Sequence, residues 1–388
     1  MRIVFLSVLF RHPTKGAKTG GGEISNRLLL EALAEKHEVF IVSATGTGLW
    51  GERINNVTYF DLSTSGLIAR LPQKLHRLAA KILFRHLTPN LLKQIRPEII
   101  LCATLEFNAA VAYGRTYNVP VGSFIRAFEN FGEYNTHSLS SLLKRGLRTL
   151  LYGNTQNKAV NRLDFLLPNS DFMDTKCKDA FNVPTTQVIY PPIDLIRTKD
   201  LQAIQSDGSC IKKVAMVSGA KKKGGELFIQ LCQYFPGIQF SIIGYRGDLS
   251  NAPPHPNLQL HAWVKEPHKL IAEADIILVP SIWEEPFGRI AVEALQCGTP
   301  VLVSKIGGLP ETVDYQDFLM VEAGNLSAWR EKLNTCLDLP PEFINANANA
   351  MRGALKYSMQ QQIAALESAM HNAIQVKLDT FEHYRRTS

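Results

Sequence analysis

Short apolar runs recur along the chain, each followed by a glycine-rich or polar turn and then by apolar residues at helical spacing. In the first half, Met1 to Val8, His37 to Val42, Ile99 to Cys102, Val121 to Ile125 and Asp164 to Pro168 predict buried strands. In the second half, Val214 to Val217, Phe240 to Ile243, Leu258 to Val264, Asp275 to Val279 and Val301 to Ser304 do the same. Between them, Ile24, Leu28, Leu29, Ala32 and Leu33 mark one helix, and Ala291, Val292, Ala294 and Leu295 mark another. Alternation of this kind predicts α/β units. Towards the end, Met351 to Lys377 reads as amphipathic helix in two pieces, with Tyr357-Ser358 between them. A chain of 388 residues is too long for one ordinary core, so two domains of similar size are expected. The tract Gln202 to Lys213, with Ser206-Asp207-Gly208-Ser209, reads as a polar linker.

The densest local signal lies at Pro280 to Val313, PSIWEEPFGRIAVEALQCGTPVLVSKIGGLPETV. A strand runs into a turn bearing Glu284 and Glu285, Pro286-Phe287-Gly288 opens a helix, Gly298 stops it, and Gly307-Gly308 makes another turn before a short helix near Leu309. In open α/β sheets, ligands bind at the carboxyl ends of strands, where helix N-termini offer free N–H groups to an anion, most simply a phosphate. Glu285 and Glu293 stand eight positions apart. On a continuous helix that is a rise of roughly 12 Å, wider than the roughly 5 to 9.5 Å of paired glycosidase carboxylates. Two hydroxyl-binding carboxylates with a phosphate site between them suit an extended ligand with the layout of a sugar nucleotide.

The composite E-P-F-G-R-I-A-V-E-A, C-G-T-P-V and G-G-L-P-E closely resembles the donor-binding signature of family 4 glycosyltransferases. The resemblance implies the GT-B fold, α/β with two Rossmann-like parallel-sheet domains facing an interdomain cleft. It implies that Glu285 meets the donor sugar, that Glu293 meets the ribose, and that backbone N–H groups near Phe287, Gly288 and Arg289 meet sugar and phosphate. Residues around Trp263 and Val264 would meet the base, though Trp263 also reads as a plain core aromatic. The turn Gly219-Ala220-Lys221-Lys222-Lys223-Gly224-Gly225 suits a diphosphate, and Lys222 or Lys223 would supply the family's lysine. Ala220 stands where the family carries an arginine. Gly21 and Gly22, in the Gly20-Gly21-Gly22 cluster before the first helix, occupy the place of the family's first loop. The expected domains are 1–190, binding the acceptor, 191–365, binding the donor, and a helix 366–388 returning to the first domain, with Pro191-Pro192 stiffening the crossing.

After the strand at Val121 to Ile125, many relatives carry a histidine; this chain offers Arg126 and Glu129 as candidate catalytic groups. Arg126 can bind a phosphate but cannot be a general base at neutral pH, whereas Glu129 can. Arg126 and Glu129 could equally form a simple ion pair. His12 and His137 are further candidates for the cleft. The implied reaction is transfer of a sugar, with retained configuration, from a nucleotide-diphosphate donor to a glycan or lipid-linked acceptor. No Asp-x-Asp pair is present to bridge a metal, and no cofactor is expected. The alternatives are a catalytically degenerate sugar-nucleotide-binding partner subunit and a GT-B type epimerase or hydrolase.

Charge and cysteine usage narrow the setting. The formal net charge is +7, and no acidic residue lies between Asp61 and Glu98 or between Glu133 and Asp164. Arg70, Lys74, Arg77, Lys81 and Arg85 share a helical face, so basic helices at 67–96 and 138–151 either meet an anionic membrane surface or form a solvated face. Nothing resembles a nucleic-acid motif. The first glycine cluster is not G-x-G-x-x-G, which argues against a dinucleotide-binding dehydrogenase. Six cysteines without metal-ligand spacing favour a reducing compartment, and Cys297 reads as a packing residue. With no bilayer-length apolar segment, and with Ile3 to Phe10 reading as a strand and not as a secretory signal, the expected location is cytoplasmic, peripheral to the inner face of a membrane.

Overall fold

The computed structural model describes residues 1–8, 10, 20–45, 48–62, 84, 86–103, 107–128, 160–193, 210–245, 255–262, 264 and 267–387. They divide into two compact units, one of Met1–Pro192 with Met359–Ser388 and the other of Ile193–Ser358.

The first unit contains β1 (Arg2–Leu6), α1 (Gly21–Leu33), β2 (Glu38–Ser43), β3 (Trp50–Ile54), β4 (Val57–Asp61), β5 (Ile99–Cys102), α2 (Phe107–Tyr117), β6 (Val121–Ile125), β7 (Phe165–Pro168) and α3 (Asp171–Ala180). Its seven strands run in the order β3-β4-β2-β1-β5-β6-β7. All are parallel except β3, which pairs antiparallel with β4 at the edge. The buried faces explain the composition: β5, β6 and β7 are buried at every position, and such strands read as continuous apolar runs. The β3–β4 hairpin is not in the apolar pattern because β3, Trp-Gly-Glu-Arg-Ile, is mostly exposed. Its two-residue turn, Asn55-Asn56, takes φ of +48° and +63°, the left-handed backbone that asparagine tolerates and tight hairpins require.

The second unit contains β8 (Lys213–Val217), α4 (Gly225–Cys232), β9 (Gln239–Ile243), β10 (Leu258–Leu260), α5 (Pro267–Glu273), β11 (Ile276–Val279), α6 (Arg289–Gln296), β12 (Val301–Ser304), α7 (Leu309–Thr312), β13 (Met320–Val321), α8 (Leu326–Cys336) and α9 (Pro341–Gly353). The sheet order is β10-β9-β8-β11-β12-β13, parallel throughout. This is the doubly wound arrangement whose strand order reverses between β8 and β11. The expected strand Leu258 to Val264 is shorter, ending at Leu260. Its partner β9 ends at Ile243, where Gly244 turns away with φ +74°.

The last helix, α10 (Met359–Thr387), belongs to the first unit. Ile363, Leu366 and Met370 share one buried cluster with Ile3, Phe5, Leu29, Phe124 and Phe165. Polar contacts fix its register: Gln362 Oε1 accepts from the Tyr190 backbone N–H at 2.8 Å, Glu367 meets His37 Nε2 at 3.0 Å, and Lys377 meets Asp164 at 2.7 Å. The helix starts at Met359 and not at 366, and the second unit ends at Ser358 and not at 365. Ala354–Tyr357 forms a tight 3-10 turn capped by Ser358, so the break falls where Tyr357-Ser358 marks it.

Candidate functional site

In the second unit, β8, β11 and β12 lie side by side, so their carboxyl-terminal loops are neighbours. The glycines of those loops let backbone press on backbone. Gly224 takes φ +82°, and a Cβ there would lie 1.9 Å from the Pro280 carbonyl oxygen; a Cβ on Gly225 would lie 2.1 Å from that of Gly219. The Ile282 N–H donates to the Lys222 carbonyl at 3.1 Å, joining the lysine turn to the Glu284-Glu285 turn. From the other side, Gly307 takes φ +59° and would carry a Cβ 2.5 Å from the Glu285 nitrogen, while the Gly308 N–H donates to the Glu285 carbonyl at 2.7 Å. The loop from Pro280 to Glu285 is thus held between two glycine turns, with Gly307-Gly308 against Glu285 itself.

The side chains converge there too. Glu285 is 6% exposed. The hydroxyl of Ser281, itself fully buried, donates to Glu285 Oε1, and the Lys223 ammonium donates to Oε2 at 2.5 Å. Lys222 is aimed differently, its ammonium 4.0 Å from the centre of the Trp283 ring, a favourable cation–π placement. Lys221 pairs with Glu226 at 3.2 Å. Ala220 caps the three-lysine turn, accepting from the backbone N–H of Lys223 at 2.9 Å.

Glu293 lies on α6, where Arg289, one turn earlier, donates to its Oε1 from Nε at 3.1 Å and approaches with a terminal nitrogen at 3.0 Å. The helix begins only at Arg289, after Gly288 with φ +121°. Half of the eight-residue separation from Glu285 is therefore turn, and the helical rise of roughly 12 Å does not apply. Phe287 is buried and meets Tyr357 edge-on at 5.1 Å; a Cβ at Gly288 would lie 2.4 Å from Leu309. The N-termini of α4 and α6 both lie at this end of the sheet, where the first N–H groups of a helix have no intrahelical partner; that of Gly225 donates to the Ala220 carbonyl at 3.3 Å. Val264 packs against the same unit's core, while Trp263 lies outside the described residues.

In the first unit the structure brings Gly22 against Arg126. Gly20 caps α1, Gly21 is its first residue, and a Cβ on Gly22 would stand 3.0 Å from the Arg126 Cβ. The Arg126 guanidinium donates through Nε to Asn26 Oδ1 at 2.9 Å and through a terminal nitrogen to the Ile189 carbonyl, and it lies 4.8 Å over the Phe124 ring. Arg126 thus ties α1 and the end of β6 to the segment after β7. Glu129, His12, His137, the tract 138–151 and most of 67–96 lie outside the described residues. Of the latter tract, Lys93 and Arg96 are exposed and line an open cavity of about 380 Å³ with Pro97, Tyr113, Tyr117 and Val119. Cys297 is buried. Burial also pushes the thiols of Cys177, Cys232 and Cys336 up to about 12, leaving them protonated and inert.

Sequence reasoning missed Ser281, Trp283 and Asn26. Asn26 was open to discovery, since it stands four residues after Gly22 and so on the same helical face. Ser281 and Trp283 flank the exposed Ile282 in a turn, where no periodicity reveals direction.

Comparison with known proteins decides the family. The family Glycosyltransferase Family 4 matches residues 19–197, and the family Glycosyl transferases group 1 matches residues 212–352. The chain belongs to the family 4 glycosyltransferases. Sucrose-phosphate synthase from Thermosynechococcus elongatus superposes on this family 4 chain with a TM-score of 0.77 at 17% identity, covering 97% of this chain and 99% of that one. Anabaena Alr3699/HepE, in complex with UDP-glucose, gives 0.69 at 17% identity, covering 96% and 100%. The fold of this family 4 member is therefore GT-B. A D-inositol 3-phosphate glycosyltransferase from Corynebacterium glutamicum is 36% identical over 114 residues, which is 28% of this chain and 27% of that protein. Only about a quarter of that curated relative's length is matched. Among the described residues, no helix of the chain is long and apolar enough to cross a membrane.

Proposed function

We propose that the protein transfers a sugar from a nucleoside diphosphate donor to a hydroxyl of a glycan or lipid-linked acceptor, with retention of configuration and without a metal. The observation that carries this reading is the buried Glu285, in a loop held between two glycine turns and joined to Lys223, at the strand-order reversal of the second sheet. In this reading Glu285 faces the donor sugar and Glu293 the ribose. Lys222, Lys223 and the N-termini of α4 and α6 face the diphosphate.

The bond from the sugar's anomeric carbon to the diphosphate oxygen breaks, and the acceptor oxygen forms the new bond on the same face. The acceptor's proton passes to the departing diphosphate, whose negative charge the lysines and helix N–H groups stabilise. Arg126, bound to Asn26 and the Ile189 carbonyl, is charged at any working pH and so suits an anion-binding role better than that of a base. A peripheral membrane position, through the basic tract that includes Lys93 and Arg96, would fit a lipid-linked acceptor. The UDP and UDP-glucose complexes of Anabaena Alr3699/HepE support a uridine donor as the first to try.

The test is a thermal-shift panel of UDP, GDP, ADP and CMP on the wild type and Glu293→Ala. One nucleoside diphosphate at millimolar concentration should raise the wild-type Tm, since stabilisation grows with ligand concentration over Kd. The shift should shrink in Glu293→Ala. No shift with any nucleotide would remove the donor reading. Ala220, in the place of the family's arginine, favours one rival, a sugar-nucleotide-binding partner subunit. Nucleotide binding without transfer or donor hydrolysis would select it.

A further inference from the structure

Both oxygens of the Glu285 carboxylate are committed. Ser281 holds Oε1, and the Lys223 ammonium holds Oε2 at 2.5 Å. The pair is asymmetric in exposure, with the Glu285 side chain 7% exposed and the Lys223 side chain 30% exposed. A carboxylate this buried would be costly to leave bare, and one partner of the pair remains within reach of solvent. Both ammoniums stand over the Trp283 ring, Lys222 at 4.0 Å and Lys223 at 5.7 Å, but Lys222 forms no ion pair among the described residues, whereas Lys223 pairs with Glu285. The two lysines of one turn therefore do different work, Lys222 offering a standing positive charge and Lys223 neutralising an acid.

Resting on the donor reading above, we propose that Lys223 is an exchange cation. In the empty site it neutralises Glu285. An arriving diphosphate, with more charge and more acceptor oxygens than one carboxylate, draws the ammonium away. Oε2 is then released to accept a hydroxyl hydrogen bond from the sugar. Ser281, whose hydroxyl keeps Oε1 in place throughout, is a positioning residue. The site thereby recognises sugar only when sugar is attached to a diphosphate, which discriminates the activated donor from free sugar. Free nucleoside diphosphate is disfavoured as well, because it must break the ion pair and gains no sugar contact in return.

The two halves of one ion pair should therefore move diphosphate affinity in opposite directions. Calorimetric titration with UDP, GDP and ADP identifies the nucleotide that binds the wild type, and that nucleotide is then titrated into Glu285→Gln and Lys223→Gln. Glu285→Gln keeps the Ser281 hydrogen bond and frees the ammonium, so it should bind the nucleoside diphosphate about three- to fivefold tighter. Lys223→Gln should bind it more weakly by a similar factor. Ser281→Ala should leave diphosphate affinity within about twofold and reduce the preference for the matching nucleotide sugar over the bare diphosphate. Unchanged or weaker binding by Glu285→Gln, or unchanged binding by Lys223→Gln, overturns the exchange while the donor reading stands. If none of the three nucleotides binds the wild type, the donor reading fails and takes the exchange with it.

Discussion

A methyl group on Gly224 would lie 1.9 Å from a carbonyl oxygen of the neighbouring loop, on a backbone with φ +82°. Gly224→Ala should therefore lower the stability of the protein by about 1–3 kcal/mol or more in urea unfolding. Gly20→Ala is the control, because a Cβ at Gly20 meets nothing within 4 Å among the described residues and its φ is −78°. At this scale the sequence was informative where chemistry and conformation coincide. The paired glycines at 224–225 and 307–308 announce close backbone approach, and the two carboxylates announce a polar ligand. Hidden from it were the partners: whether Lys222 or Lys223 meets Glu285 depends on a 3-10 turn over Lys221–Lys223, and spacing along the chain does not reveal that.

Elements were legible in proportion to their burial. β5 and β6 were readable to the residue because every position in them is buried and all but Gly122 and Ser123 carry large apolar side chains or a cysteine. β3 and β4 were overlooked, although Asn55-Asn56 between Ile54 and Val57 is a hairpin turn signal. α6 is shorter than its motif suggests, since Gly288 holds a conformation no helix can include. α10 shows what an element contributes once placed. Leu366 is fully buried among strands and helix of the first unit, so Leu366→Ala should cost about 2–5 kcal/mol. Val376, 63% exposed on the same helix, should tolerate alanine with a change within about 0.5 kcal/mol. Both are measured by chemical denaturation.

At the scale of the molecule, charge and connectivity matter most. The exposed Lys93 and Arg96 border a cavity whose other walls are Pro97, Tyr113, Tyr117 and Val119, a cationic rim beside aromatic rings. If the basic tract meets a membrane, Lys93→Glu with Arg96→Glu should weaken binding to phosphatidylglycerol-containing vesicles at least about tenfold, at roughly 1 kcal/mol per charge. Binding to neutral phosphatidylcholine vesicles should not change. Unaltered binding to the anionic vesicles would exclude that surface.

Connectivity has a consequence in time. The first unit is interrupted: residues 193–358 form the other unit, and only then does α10 arrive to cover Ile3, Phe5 and Leu29. A ribosome adds about 5–20 residues per second. For roughly ten seconds or longer, the nascent first unit must therefore wait with an apolar face open, while the unit made after it can already close. The half of the protein synthesised first is the half completed last, and that uncovered face is where a chaperone would be needed during synthesis.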